Sequence, residues 1–173
     1  MLAVAGAGCI GTTDRSDFTQ EIQERGGGLT SELPRDAVAA VAAKLRVDDF
    51  DVRTLTVTPQ DGTVLLDVRD PAVPEHLDRY VVRRGAVASV QPVRLHPTDI
   101  LDTQTFPVSG LPLDRVEGMV DAALAQFSPG GYVTAMSIDR TADGVEIELA
   151  LESPRDAAAA RFDGDGDLIE LIR

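Results

Sequence analysis

Apolar residues recur along this chain in two rhythms, one helical and one alternating, and the order of the two predicts its elements. Leu33-Pro34-Arg35-Asp36 opens a segment in which Val38, Val41 and Leu45 return at helical spacing, predicting a helix that runs to about Arg46. Pro34 and Asp36 suit its first turn, where a missing donor is tolerated and a negative charge meets the helix dipole. Extended segments follow at Val52 to Thr58 and Thr63 to Arg69, joined by a turn at Asp61-Gly62. Pro71 and Pro74 interrupt the pattern. Tyr80 to Arg83 and Ala86 to Val90 then form a further strand pair around Arg84-Gly85.

The same programme returns. Leu111-Pro112-Leu113-Asp114 opens a helix with Val116, Met119, Ala123 and Phe127 on one face, and the first three stand 78 positions after Val38, Val41 and Leu45. Pro129-Gly130-Gly131 ends it, Tyr132 to Ile138 forms a strand, and Asp143-Gly144 matches the Asp61-Gly62 turn. Val145, Ile147, Leu149 and Leu151 alternate with Glu146, Glu148, Ala150 and Glu152, the mark of a sheet with one buried and one wet face. Pro154 corresponds to Pro71. Ala157 to Phe162 and Asp167 to Ile172 complete the pattern around Asp165-Gly166, although the alanine run favours helix by propensity alone.

The expectation is an α+β protein of two tandem repeats, residues 31–93 and 111–173, each one helix packed on its own four-stranded antiparallel sheet. Residues 94–110 form the linker between them, with Ile100, Leu101 and Phe106 held against the body. Units of about sixty residues are marginal alone, so the halves are expected to bury surface on one another and to leave a cleft for a ligand or partner.

Residues 1–9 read as a truncated lipoprotein signal segment. The apolar run Leu2 to Gly8 ends in Gly6-Ala7-Gly8 directly before Cys9, the only cysteine in the chain, and small residues there suit a signal peptidase. Cys9 is the candidate lipidation site. The run is short for a signal segment, so a longer leader with Met1 as a late start is expected. Residues 10–30 then read as a tether: a polar stretch, a short helix at Phe18 to Arg25, and Gly26-Gly27-Gly28 as a hinge.

Two other readings of the start stay open. Gly6-Ala7-Gly8-Cys9-Ile10-Gly11 spells a dinucleotide-binding fingerprint, but Thr12 to Asp17 supplies no apolar helix face behind it. A plain tail with a free thiol is the other. An unmodified Cys9 would make this a cytoplasmic protein of unknown activity.

The formal charge of −13 argues against nucleic acid as a partner. His76 and His96 are the only imidazoles, no G-x-S-x-G occurs for Ser89 or Ser109 to serve, and Glu146 with Glu148 suits a solvated sheet face. Asp163, Asp165 and Asp167 resemble the opening of a calcium loop, but Leu168 stands where that loop needs glycine. The sequence therefore points to a protein that is not an enzyme, with no cofactor and no metal.

The order of tether, G-G-G, L-P-x-D helix, D-G hairpin and R-D-P or E-S-P turn resembles that of hypothetical lipoproteins of actinobacteria. The duplicated units are similar to PepSY-like and β-lactamase-inhibitor-like modules. That resemblance implies a protein- or peptide-binding module held by a lipid on Cys9 at the extracytoplasmic face of the cell membrane. The alternative is a carrier or sensor of an apolar ligand or lipid.

Overall fold

The computed structural model describes residues 26–173. Cys9, the polar tether and the short helix expected at Phe18 to Arg25 lie outside the described residues.

Helix α1 (Glu32–Leu45) buries Pro34, Ala37 and Val41, and stops where Arg46 turns left-handed and its N–H reaches the Ala42 carbonyl. Four strands follow: β1 (Asp51–Thr58), β2 (Thr63–Arg69), β3 (Leu77–Arg83) and β4 (Ala86–Pro92). The segment after them holds one helical turn, α2 (Leu101–Gln104), and a short strand, β5 (Phe106–Pro107). Helix α3 (Val116–Gln126) is entered through a 3-10 turn at Leu113–Arg115, so it begins later than the opening expected at Leu111-Pro112-Leu113-Asp114, and it ends one residue before Phe127. Then come β6 (Tyr132–Thr141), β7 (Gly144–Glu152), β8 (Ala157–Asp163) and β9 (Leu168–Ile172). The alanine run is strand because Ala157 to Ala160 pair in register with Leu149 to Glu152, which outweighs intrinsic propensity.

The strands do not form the two separate sheets expected from the repeat. One antiparallel sheet runs through the molecule in the order β4-β3-β2-β1-β6-β7-β8-β9, with β5 pairing on β1. The expected architecture of two tandem helix-on-four-strand repeats is therefore corrected to a single strand-dominated sheet carrying its long helices on one face. The join is β1 against β6, with Thr54 opposite Asp139, Leu55 opposite Ile138, Thr56 opposite Ser137 and Val57 opposite Met136. Two separate sheets would have left β1 and β6 as edges with unpaired backbone groups; pairing them removes both edges at once.

One continuous core lies between this sheet and the helices. Alternate strand residues (Leu55 and Val57, Val64 and Leu66, Met136 and Ile138, Ile147 and Leu149) meet Ala37 and Val41 of α1 and Val116, Met119, Val120 and Ala123 of α3. Each large side chain so buried contributes about 1.5–3 kcal/mol. Leu29, Phe50, Phe106 and Val108 join this core from the connections. Leu101 and Phe106 are buried as expected of the linker, whereas Ile100 is 59% exposed.

The three glycines do not stand free as a hinge. Leu29 N–H donates to the Gly26 carbonyl at 2.9 Å. Gly27 and Gly28 take φ of +60° and +89°, and a Cβ on Gly27 would lie 2.1 Å from the Val133 carbonyl oxygen. Glycine here permits a left-handed turn in close contact with backbone, which places Leu29 in the core.

Candidate functional site

The face of the sheet turned away from α1 and α3 carries its polar chemistry. Antiparallel register places Arg79, Asp67, Thr54, Asp139, Glu146 and Asp163 side by side across six strands from β3 to β8. The next row is Val81, Leu65, Thr56, Ser137, Glu148, Arg161 and Glu170. Ala135, Ala150 and Ala159 continue in a third, small-residue row. Most of these side chains are half-buried by one another.

Asp67 is the exception, at 1% exposure. Arg79 grips it with two hydrogen bonds, Nε to Oδ1 at 2.7 Å and a terminal nitrogen to Oδ2 at 2.9 Å, and Arg53 adds a third at 3.2 Å. That hydrogen bonding and charge raise the Arg79 pKa further. Arg53 also faces Asp99 at 3.7 Å, and Arg69 pairs with Asp102 at 2.7 Å. The connection from β4 to β5 is thus clamped over one end of this face by ion pairs, while Leu77 and Leu101 are buried outside the main core. A backbone hydrogen bond from His96 holds the Asp99 carboxyl below its ordinary value.

Toward the centre, burial holds the Asp139 carboxyl above its ordinary value; Ser137 works against this by hydrogen bonding, and Glu148 adds to it by like charge. At the β7–β9 side, Arg161 bridges Glu146 and Glu170, with 2.6 Å to the latter. The Arg161 hydrogen bond lowers the Glu146 pKa. Asp67, Glu146 and Glu170, toward the two ends of the face, are thus ion-paired, whereas Asp139 and Glu148, among the Thr, Ser and Ala side chains between them, enter no ion pair among the described residues.

The other residues singled out from sequence do not assemble. His76 is exposed, and His96 Nδ1 pairs with Thr98 Oγ1 at 2.8 Å. Ser109 donates its hydroxyl to Asp49 at 2.6 Å, and Ser89 sits on β4 opposite Val81. Asp163 Oδ1 accepts the amides of Asp165 and Asp167, while Arg115 binds Asp167 at 2.7 Å and the Asp165 carbonyl, so the acidic turn is tied by its own chain. Among the described residues no group of His, Cys, Asp or Glu is arranged to hold a metal ion. No helix among them is long and apolar enough to cross a membrane. Sequence reading passed over the Arg53–Asp67–Arg79 group, whose only advance signal was a lone acid inside the apolar strand TVLLDVR.

Surface clefts are open rather than enclosed. The larger ones hold about 390 Å³ beside Asp49, Phe50, Arg69 and Asp70, and about 420 Å³ beside Asp61, Thr63, Arg83 and Arg84.

No family model and no curated protein sequence matches the chain, so the PepSY-like resemblance finds no counterpart there. The fold is similar to the crystal structure of a candidate lipoprotein from Clostridium difficile 630, with a TM-score of 0.56 and 14% identity. The match covers 79% of this chain and 90% of that one.

Proposed function

We propose that this chain is a lipid-anchored, non-enzymatic binding module of the extracytoplasmic face of the cell membrane, engaging a protein or peptide partner through the uncovered face of its sheet. The observation that carries the reading is that face: rows of Thr, Ser and Ala side chains between internally matched ion pairs, with both long helices on the opposite side. Asp67, Glu146 and Glu170 arrive already paired with arginines, so a partner that covers them leaves none of these three charges unmatched. Attachment through Cys9 rests on the small residues before it and on the likeness in fold to a candidate lipoprotein.

Carriage of an apolar ligand fits less well. The space between helices and sheet is filled by Phe106, Phe162, Met136 and Leu149, each at most 2% exposed.

Two measurements test the proposal in the native host. Mass spectrometry of the N-terminal peptide is expected to find a diacylglycerol mass on Cys9; an unmodified chain beginning at Met1 would return the protein to the cytoplasm. A photo-reactive residue at Thr56, at the centre of the face, is expected to cross-link a protein that the same group at exposed Ala39 on α1 does not. Equal yields from both positions would sink the surface assignment, and a co-purifying lipid mass under native conditions would favour carriage.

A further inference from the structure

We infer that the free edge of β4 is a docking edge for an extended, acidic segment of a partner protein, added to the sheet as a further strand. This rests on the binding reading above and names both the edge and the chemistry it takes.

Among the described residues β4 is an outermost strand, and none of its seven residues, AVASVQP, is charged. Its pairing with β3 decides which backbone groups are free. Val93 N–H donates to the Leu77 carbonyl at 2.8 Å, and Arg79 stands opposite Gln91 two positions on. Alternation along an antiparallel ladder therefore turns Gln91 and Ser89 toward β3 and leaves the N–H and C=O of Val90 directed outward. Pro92 occupies the next outward position and has no N–H, so the regular run offers an incoming strand one donor, Val90 N–H, with the carbonyls of Val90 and Pro92 as acceptors. A register shift at Ala88 ends this regular run, so the edge accepts a short strand. The Val90 side chain is 40% exposed, so the incoming strand meets an apolar contact on the helix side and Ser89 and Gln91 on the other.

Charge identifies the occupant. The stretch Leu77 to Arg94 carries four arginines and one aspartate within a chain of formal charge −13. Arg83 and Arg84 enter no ion pair among the described residues. Arg83 Nε leans on Thr63 Oγ1 at 3.3 Å, and both arginines line the open cleft of about 420 Å³ at this end of the sheet together with Asp61; Asp36 lies beside the Gly85 turn and Arg79 is held by Asp67, so Arg83 and Arg84 carry the charge argument. Arg84 holds φ of +52° in the tight turn before Gly85, where Asn would fit with less strain. Two guanidinium groups outside any ion pair, beside an uncharged edge, suit a strand with alternate acidic and apolar side chains. Self-association through β4 would instead set two basic hairpins against each other.

The test titrates the full chain into a fluorescent, end-blocked peptide of alternating Glu and Val, with a Lys and Val peptide as counterpart, at low and at physiological salt. The Glu peptide is expected to bind, more weakly as salt rises, and the Lys peptide not to bind. Val90→Pro removes the outward amide and the Val90 side-chain contact while leaving the Ser89 and Gln91 bonds to β3, and a double Arg83→Glu, Arg84→Glu variant reverses the charge; each is expected to weaken binding at least tenfold. Arg155→Glu, exposed and remote, is expected to leave it unchanged. Melting curves establish that the variants fold, and the charge variant keeps the test alive if Val90→Pro does not. Equal binding of both peptides, no binding, or full binding by the two β4-end variants would overturn the inference. So would a dimer that Val90→Pro abolishes, which would make a second copy the occupant. Persistence of the Thr56 cross-link in Val90→Pro would sink the edge alone and leave the open-face reading intact.

Discussion

Ser31 and Glu117, 86 positions apart, join the start of the first helix to the third. The Ser31 amide donates to Glu117 Oε1 at 2.8 Å and its hydroxyl donates to Oε2 of the same carboxylate. Ser31 is the N-cap of α1 yet makes no side-chain cap bond within its own helix. Burial works against the charge on Glu117, but the two Ser31 bonds, a bond from its own backbone amide and the charge of Arg35 together outweigh it and hold the carboxyl below its ordinary value.

Glu117→Ala leaves the Ser31 amide without its acceptor at a residue 7% exposed, and is expected to cost about 1–3 kcal/mol in urea unfolding at pH 7. Because the folded pKa is depressed, the contribution is present above the unfolded glutamate value of about 4.3 and lost as pH falls through the folded value. The gap between wild type and variant should therefore narrow in acid. A gap that stays constant down to that range would show that the carboxylate charge is not its source.

Asp67 is held by two arginines, so the arginines should prove unequal to their sum. Arg53→Ala or Arg79→Ala alone leaves one guanidinium in place, whereas the double variant strands a carboxylate that is 2% exposed. The double variant is expected to lose about 3–5 kcal/mol, each single variant clearly less than half of that. Strict additivity in denaturant titrations would contradict the shared grip.

Asp139 behaves in the opposite sense. Its raised pKa means that stability falls as pH rises from the unfolded aspartate value, about 3.9, through the folded one. Burial is the main cause and the like charge of Glu148 on the neighbouring strand adds to it, on the scale of roughly 0.2–1 kcal/mol for a cross-strand pair. Asp139→Asn should stabilise the protein by an amount of that order at neutral pH and by nothing below the unfolded value. Thermal melts across pH would show whether the two curves converge there.

Gly27 and Gly62 separate conformational strain from collision. Both have positive φ, but a Cβ on Gly62 meets nothing within 4 Å, while one on Gly27 would strike the Val133 carbonyl. Gly62→Ala should cost about 1–2 kcal/mol, the ordinary left-handed penalty. Gly27→Ala should cost clearly more and lower the melting temperature further. Equal losses would mean that the Gly26–Gly28 turn does not dock as described.

Much of the local structure was legible in advance. The spacing of Val38 and Val41 marked a helix, and the alternation from Val145 to Leu151 marked a strand with one wet face, because both periodicities follow from where side chains project. The functional face was legible only in part. Glu146 reads as a solvated surface acid from its place in the alternation but is half-buried and held by Arg161, and Asp67 reads the same way and is buried. Its burial depends on Arg53, Arg79 and the segment around Asp99, residues that its own strand says nothing about.

The sequence by itself determined the two long helices, the eight longer strands and their order, since side-chain period and turn chemistry are properties of a short stretch, whereas α2 and β5 lay unread inside the expected linker. Tertiary structure alone decided that β1 meets β6 and makes one sheet of what read as two. The bonds of that join run between backbone amides and carbonyls, which every strand carries alike, so the apolar pattern is the same whether an edge is free or paired. The three glycines follow the same rule. A stretch without side chains reads as freedom, and only the approach of Val133 turns it into a fixed contact.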